Sequence, residues 1–463
     1  MNACRLLKTL FQCLFVLLTL AWPAPVAEAA GNTALQIATF SADVTPPLGT
    51  PLMGGGIAPA RSIGDPLQAR GCVILGGGEP VVLLAVDWCE IRSEAHDRWR
   101  TVLAVAANTD PSRVLVTSVH VHDAPIADLQ AQRLLEKNNV AGSICPAPVH
   151  EAAVQATADA LRQSLRQAQP LTHIGTGQAR VQQVASNRRY LQADGTPAFD
   201  RYSATKKPLA QSAPEGTIDP WLKTLSFWNG RKAVAAIHAY SVHPMSHYGK
   251  GEVSADFVGM ARARRQADDP GVFQIYASGC SGNVTAGKYN DGSPENRPVL
   301  ADRVYQAMTD AWKATRRVRV STLQVHSAML ELAPRTSPGF TENELRGRLL
   351  TDPKPFGQCL AAMGLSWRQR ADSGRRLDVP AVDFGRAQLL LLPAESYVEY
   401  QLYAQQQRPE SFVMVWGYGD CAPGYIPTER AWAEGDTNLH DWCWIDPGAE
   451  GAMQQAIAEA LGR

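Results

Sequence analysis

Apolar and polar positions along this chain alternate between a two-residue and a 3.6-residue rhythm. Residues 35–45 and 71–87 read as strands, the second holding Val73-Ile74-Leu75 and Val81-Val82-Leu83-Leu84-Ala85-Val86. Gly54-Gly55-Gly56 and Gly76-Gly77-Gly78 supply the turns around them. Helical spacing predicts helices over Glu94–Ala107 and Glu151–Gln167, with the strand Val114–His120 between them. A second strand-rich half follows, at Ala233–Val242, Val272–Ala277, Val318–Leu332, Ala387–Leu392 and Phe412–Trp416. Tyr397–Gln407 and Ala452–Leu461 have helical patterns, and residues 185–220 form a long polar loop. Strands alternating with helices predict an α/β fold with mixed sheets flanked by helices.

Residues 1–30 read as a cleaved secretory signal. Arg5 and Lys8 open it, Leu10–Trp22 is its apolar part, and Ala27-Glu28-Ala29 fits the cleavage site. The expected product is residues 31–463, one large catalytic domain, periplasmic or secreted. Lys and Arg total 44, as do Asp and Glu, and no basic stripe stands out, which argues against nucleic acid as partner. Seven cysteines follow the signal with no CxxC pair, so a structural zinc cluster is not expected; an oxidising compartment would allow disulfides, with at least one thiol left over. Oligomeric state is not readable from the chain.

Several strand ends carry chemistry. His120 and His122 close an apolar strand, two residues apart and therefore on one face, before Pro125 breaks the pattern. This is either the start of a metal site or two histidines sharing hydrogen bonds at a sheet edge. His243 ends the strand at Ala233–Val242, where Pro244 stops the ladder; His238 lies mid-strand on the opposite face and reads as a core histidine. Glu395 follows a leucine run through Pro393-Ala394 and precedes a helix, which suits a metal ligand or a plain N-terminal acid. Ser278-Gly279-Cys280-Ser281-Gly282-Asn283-Val284-Thr285 is a glycine-broken loop of hydroxyl and amide residues. It could aim donors at an oxyanion or be a plain turn. Two such histidines and a carboxylate match the three-ligand recipe of a catalytic zinc.

Motif order then resembles a known family. From roughly Phe40 to Trp444 the chain is similar to the catalytic domain of neutral (non-lysosomal) ceramidases, zinc-dependent amidases whose C-terminal immunoglobulin-like domain has no counterpart here. Val119-His120-Val121-His122 stands in the place of the family's T-H-T-H, Val242-His243-Pro244-Met245-Ser246 in its V-H-P/S-T-S-M, and Leu392-Pro393-Ala394-Glu395 in its G-A-P-A-E. Ser254-Ala255-Asp256 resembles its S-x-D element, Asn187-Arg188-Arg189 its N-R-S, and Trp416-Gly417-Tyr418 with Tyr425-Ile426-Pro427-Thr428-Glu429 its tyrosine element.

The resemblance implies His120, His243 and Glu395 as Zn²⁺ ligands, with Tyr425 as fourth ligand or close neighbour. It implies His122 or Tyr425 for proton transfer, Arg188 in the active site, and Thr285, where the family has serine, against the substrate. Asp123-Ala124-Pro125 replaces the family's small residues after the histidine pair. The expected activity is hydrolysis of an N-acyl bond in a small-molecule or lipid amide, sphingolipid-like, by metal-activated water. Transient contact with a membrane surface would accompany a lipid substrate. The rival readings are a zinc esterase or deacylase on another lipid or glycan, and a non-catalytic exported metal protein. Residues 185–220 and 334–380 are expected to shape the pocket.

Overall fold

The computed structural model describes residues 34–463; the expected secretory signal over residues 1–30 lies outside them. Eleven α-helices flank three principal sheets among these residues. The first sheet is ordered 114–118, 81–86, 68–75, 36–43, 169–170. The second is ordered 273–278, 232–240, 221–229, 173–180, 316–319, and the third 324–330, 377–383, 387–391, 412–416. Each is mainly antiparallel but has a parallel pair at one edge. These pairs are 81–86 with 114–118, 232–240 with 273–278, and 387–391 with 412–416. Val81–Val86 is buried at every position, which is why its sequence is a continuous apolar run rather than an alternation.

The parallel pairs place the site. Their strands all run toward one region, and backbone bonds lock the three ends together. Ser118 N–H donates to the Tyr418 carbonyl at 3.0 Å, Gly417 N–H to the Ser278 carbonyl at 2.9 Å, and Ser278 Oγ to the Val119 carbonyl at 2.7 Å. Segments leaving the carboxyl ends of parallel strands have no further ladder partner and are free to turn inward.

Two apolar cores hold this frame. One fills the first two sheets and their helices 93–107, 147–164, 256–268 and 296–313. The other lies under the third sheet, with helices 129–137, 342–351, 355–372 and 449–460. The pattern-based strand Val318–Leu332 is in fact two strands, Arg316–Arg319 and Gln324–Leu330, in different sheets; polar Ser321-Thr322 lies at the break. Helix Pro355–Asp372 was not legible, because it is buried at Gly357 through Trp367 and so lacks an amphipathic period. All seven cysteines among the described residues are buried free thiols, so the disulfides that the compartment would allow are not formed. No described helix is long and apolar enough to cross a membrane.

Two core histidines make stability depend on pH. His238 is fully buried between Thr224 Oγ1 at 2.9 Å and Gln274 Oε1 at 2.8 Å, the core role its mid-strand position predicts. His150 is buried against Trp88 and Trp99, and neither ring nitrogen has a partner. Burial pushes each down to about 4. As pH falls below the ordinary histidine value, the unfolded chain takes up these protons before the folded one does. Stability is then lost between about pH 6.5 and 4, by roughly 2 kcal/mol per histidine from neutrality to pH 5. Urea unfolding at pH 7 and 5 measures this, and His150→Phe should shrink the difference by roughly 2 kcal/mol; an unchanged difference would refute the assignment.

Candidate metal centre

The strand carrying the first histidine ends earlier than its sequence pattern suggests. It stops at Ser118, and His120 adopts a left-handed backbone with φ 70°. The shared direction of His120 and His122 therefore comes from a turn and not from strand alternation. Their rings lie edge to face, 4.9 Å apart. His243 likewise falls three residues beyond its strand, which ends at Tyr240, and its N–H donates to the Val284 carbonyl at 2.9 Å. Glu395 begins a two-residue strand that pairs in parallel with Tyr425–Ile426, setting Glu395 directly beside Tyr425. The helix after it starts only at Val398, so a capping role for this acid is not realised.

His120, His243 and Glu395 converge. Nε2 of His120 lies 3.0 Å from Nε2 of His243, and Glu395 Oε2 lies 3.4 Å from the first and 2.9 Å from the second. All three side chains are buried. Each Nδ1 faces a backbone carbonyl: Cys89 at 2.8 Å for His120 and Ser281 at 2.6 Å for His243. A carbonyl only accepts, so both protons sit on Nδ1 and both Nε2 atoms present lone pairs. Glu395 Oε2 accordingly has no hydrogen bond despite the short approach to His243. Three lone-pair donors held face to face in a buried site repel one another unless a cation lies among them.

Burial, followed by the Arg188 guanidinium, pushes His243 down to about 4, so this ring is neutral. Burial would raise the Glu395 carboxyl, but His120 and then His243, which face it, outweigh burial and hold it well below the ordinary range. Donor type, tautomer and spacing fit a divalent ion.

Around the three donors stand the remaining predicted residues. Arg188 is buried; its Nη1 donates to the Tyr425 hydroxyl at 2.7 Å and to Asn438 Oδ1 at 3.1 Å, and its Nη2 lies 3.3 Å from His243 Nε2. Burial raises the Tyr425 phenol well above its ordinary value, and the neighbouring Arg188 only partly offsets this. His122 has its Nδ1 3.2 Å from the His120 carbonyl and is kept neutral, chiefly by burial and then by His120 and His243.

Thr285 does not reach the site. Its Oγ1 donates to the Tyr202 carbonyl at 2.6 Å and the Arg201 carbonyl at 3.2 Å, and accepts from Gly287 N–H at 3.1 Å. It is not among the residues that line the cavity beside the histidines; it pins the 201–202 segment to the strand behind His243.

That cavity has a volume of about 300 Å³ and is lined by His120, His122, Arg188, Glu395 and Tyr425 together with residues not anticipated from sequence. Of the two segments expected to shape it, 185–220 contributes Arg188, Tyr202 and Ser203, while 334–380 contributes nothing because it folds into the second core. The missed residues are Met53, Cys89, Glu90, Ile126, Met245, Tyr248 and four residues of the 437–442 loop, Thr437, Asn438, Asp441 and Trp442.

Tyr418, outside the cavity lining, stacks on His120 with centroids 4.1 Å apart and planes 17° apart, and its hydroxyl bonds Ser281 Oγ at 2.7 Å. Its left-handed φ of 57° aims it there, and nothing local in the sequence signals that conformation. Tyr418→Leu removes the stack and the support of the Ser281 loop, and should weaken metal binding about 10–100-fold in chelator competition. Unchanged affinity would exclude this supporting role.

No protein-family model and no curated protein matches the chain. Solved structures do. The chain has the fold of the neutral ceramidases, as predicted from its motifs. It is similar to the neutral ceramidase from Pseudomonas aeruginosa at TM-score 0.67 and 18% identity, over 93% of this chain and 74% of that one. A structure described as ceramidase complexed with C2 matches at TM-score 0.68 and 18% identity, over 93% and 75%.

Proposed function

We propose that this protein is a zinc-dependent hydrolase of N-acyl bonds that works outside the cytoplasm. The observation that carries the reading is the set of three buried lone-pair donors, on His120, His243 and Glu395, at the edge of an open cavity. Donors sharing one tetrahedral zinc, at bond lengths of about 2.0–2.1 Å, lie about 3.3 Å apart, close to these separations. Tyr425, beside Glu395, is placed to be a fourth ligand or an adjacent donor. A zinc ion there supplies Lewis acidity toward a carbonyl oxygen and acidifies water.

The chain's own groups do the rest. Arg188 presents a buried guanidinium beside His243, where negative charge on a carbonyl oxygen would develop. This gives Arg188 the stabilising role that sequence comparison assigned to Thr285. His122, neutral and lining the cavity, takes a proton from water and returns it to the leaving nitrogen. The cavity against the donors favours catalysis over a purely structural ion, since structural zinc sites are closed. Export rests on the signal pattern at residues 1–30.

The test uses the purified chain with one equivalent of zinc and matched acylamide and acyl ester substrates. Hydrolysis should disappear with a chelator and return with zinc. Preference for the ester alone would favour the esterase reading, and no transition-metal binding would overturn both.

A further inference from the structure

We infer that this protein carries a docking surface for a linear acidic polysaccharide, at the edge of the second sheet and away from the metal centre. The surface goes beyond the hydrolase reading and does not depend on it. Strand Arg316–Arg319 ends that sheet on one side, and all four of its residues are exposed. It pairs with strand 173–180 so that Arg319 stands opposite His173. The hairpin between strands 221–229 and 232–240 turns at Gly230, with φ 58°, and adds exposed Arg231 and Lys232. Arg317 Nη1 donates to the Gly230 carbonyl at 3.4 Å, and His173, Gly230, Arg231 and Arg317 line one hollow.

These cations are unmatched. Segments 169–180, 221–233 and 311–330, which build this corner, contain no Asp or Glu. Among the described residues the one ion pair they make is Lys313 with Asp310 at 3.9 Å. Elsewhere the molecule pairs its arginines, as Arg92 with Glu90, Arg262 with Asp87 and Arg370 with Asp97. No basic stripe shows along the chain because three separate segments contribute to this one. Charge on an edge strand hinders strand addition, but Arg231 and Lys232 lie on a hairpin between inner strands, where no edge has to be guarded. Clustered like charges repel one another until an anion neutralises them.

Shape and composition select the occupant. Arg317 and Arg319 share a face and lie about 7 Å apart along an extended strand, so the cations form a row rather than a socket for one small anion. Most are arginines, whose planar forks match the paired oxygens of carboxylates and sulfates. Arg317 is already held, 4.8 Å over the Trp228 ring, which itself stacks on Trp312 at 5.3 Å. With those rings facing one another, Val318 is the only apolar side chain the strand offers, whereas a membrane-binding surface adds apolar groups that insert. Strand 232–240 leads from this corner to within three residues of His243, a span of about 26 Å. A bilayer held here would therefore lie at the far end of the strand from the cavity. A soluble anionic chain carries no such conflict, and the export reading favours a glycan over nucleic acid.

The experiment titrates polygalacturonate and heparin oligosaccharides into the purified chain by calorimetry, beside neutral dextran, phosphatidylglycerol vesicles and a short DNA duplex. At least one acidic glycan should bind saturably, roughly tenfold more weakly at about 300 mM than at about 50 mM salt, and dextran should not bind. Arg231→Glu/Arg317→Glu/Arg319→Glu should lower that affinity about thirtyfold with circular dichroism unchanged. The same reversal at exposed Arg162, Arg264 and Arg346 sets the net charge equal and should cost less than about threefold. Equal losses in the two variants, or no binding of either acidic glycan, would overturn the surface. Tighter binding of the vesicles or of the DNA would overturn the glycan as occupant. Binding is read without turnover, and none of the reversed residues lines the cavity, so failure of the hydrolase reading would show separately, in the amide assay.

Discussion

Replacing His243 by alanine is expected to take bound zinc from one equivalent to none and amide hydrolysis to background. The ring is held by Nδ1 on the Ser281 carbonyl and by its N–H on the Val284 carbonyl, so it is pre-set for a ligand before any ion arrives. Without it two donors remain, one neutral nitrogen and one carboxylate, on a site whose catalytic form needs three. The fold should survive, because His243 lies beyond the end of its strand and contributes little to the apolar core. Metal analysis after dialysis against a zinc buffer measures the first effect, and circular dichroism controls for folding. A folded variant retaining a full equivalent of zinc would remove His243 from the ligand set.

Arg92→Ala should cost about 3–5 kcal/mol of stability, the largest such loss expected from one side chain here. Arg92 is fully buried, with Nη1 on Glu90 at 2.7 Å and Nε on Asp128 at 3.3 Å. It also donates to the carbonyls of Cys421 at 2.9 Å and Ala422 at 2.7 Å. Truncation strands two buried carboxylates and two carbonyls at once. Glu90, already raised to about 7 chiefly by burial, would be driven toward its neutral form. Because Glu90 lines the cavity and residues 421–422 lead to Tyr425, activity should fall together with stability. Denaturant unfolding with a paired assay measures both; a loss below about 1 kcal/mol would mean that this buried network is only marginally stabilising.

Much of the frame was legible because its strands are buried runs of β-branched and aliphatic residues. Val81–Val86, Ala387–Leu391 and Phe412–Trp416 match their sequence patterns within a residue. Helices Asp256–Asp268 and Pro355–Asp372 were not anticipated. The second is apolar nearly all round, while the first carries buried arginines, Arg262 and Arg265, on its inner face. Arg262 is matched by a bidentate pair with buried Asp87 at 2.6 Å, a partner 175 residues away that no local pattern reveals.

The chain alone determined which donor types exist and that they follow strand ends: His120, His122, His243 and Glu395 are all marked by an apolar run and a neighbouring proline. It could not say that they meet. His120 and His243 are 123 residues apart, and Arg188 and Tyr425 are 237 apart. Their convergence depends on three sheets locked end to end through Ser118, Ser278 and Gly417. Tertiary structure also decided that Thr285 turns to backbone carbonyls, that Tyr418 rather than a neighbouring residue backs His120, and that Tyr248 packs against His122. Periodicity and residue type are local properties set by burial, whereas the distance between two donors is set by non-local packing.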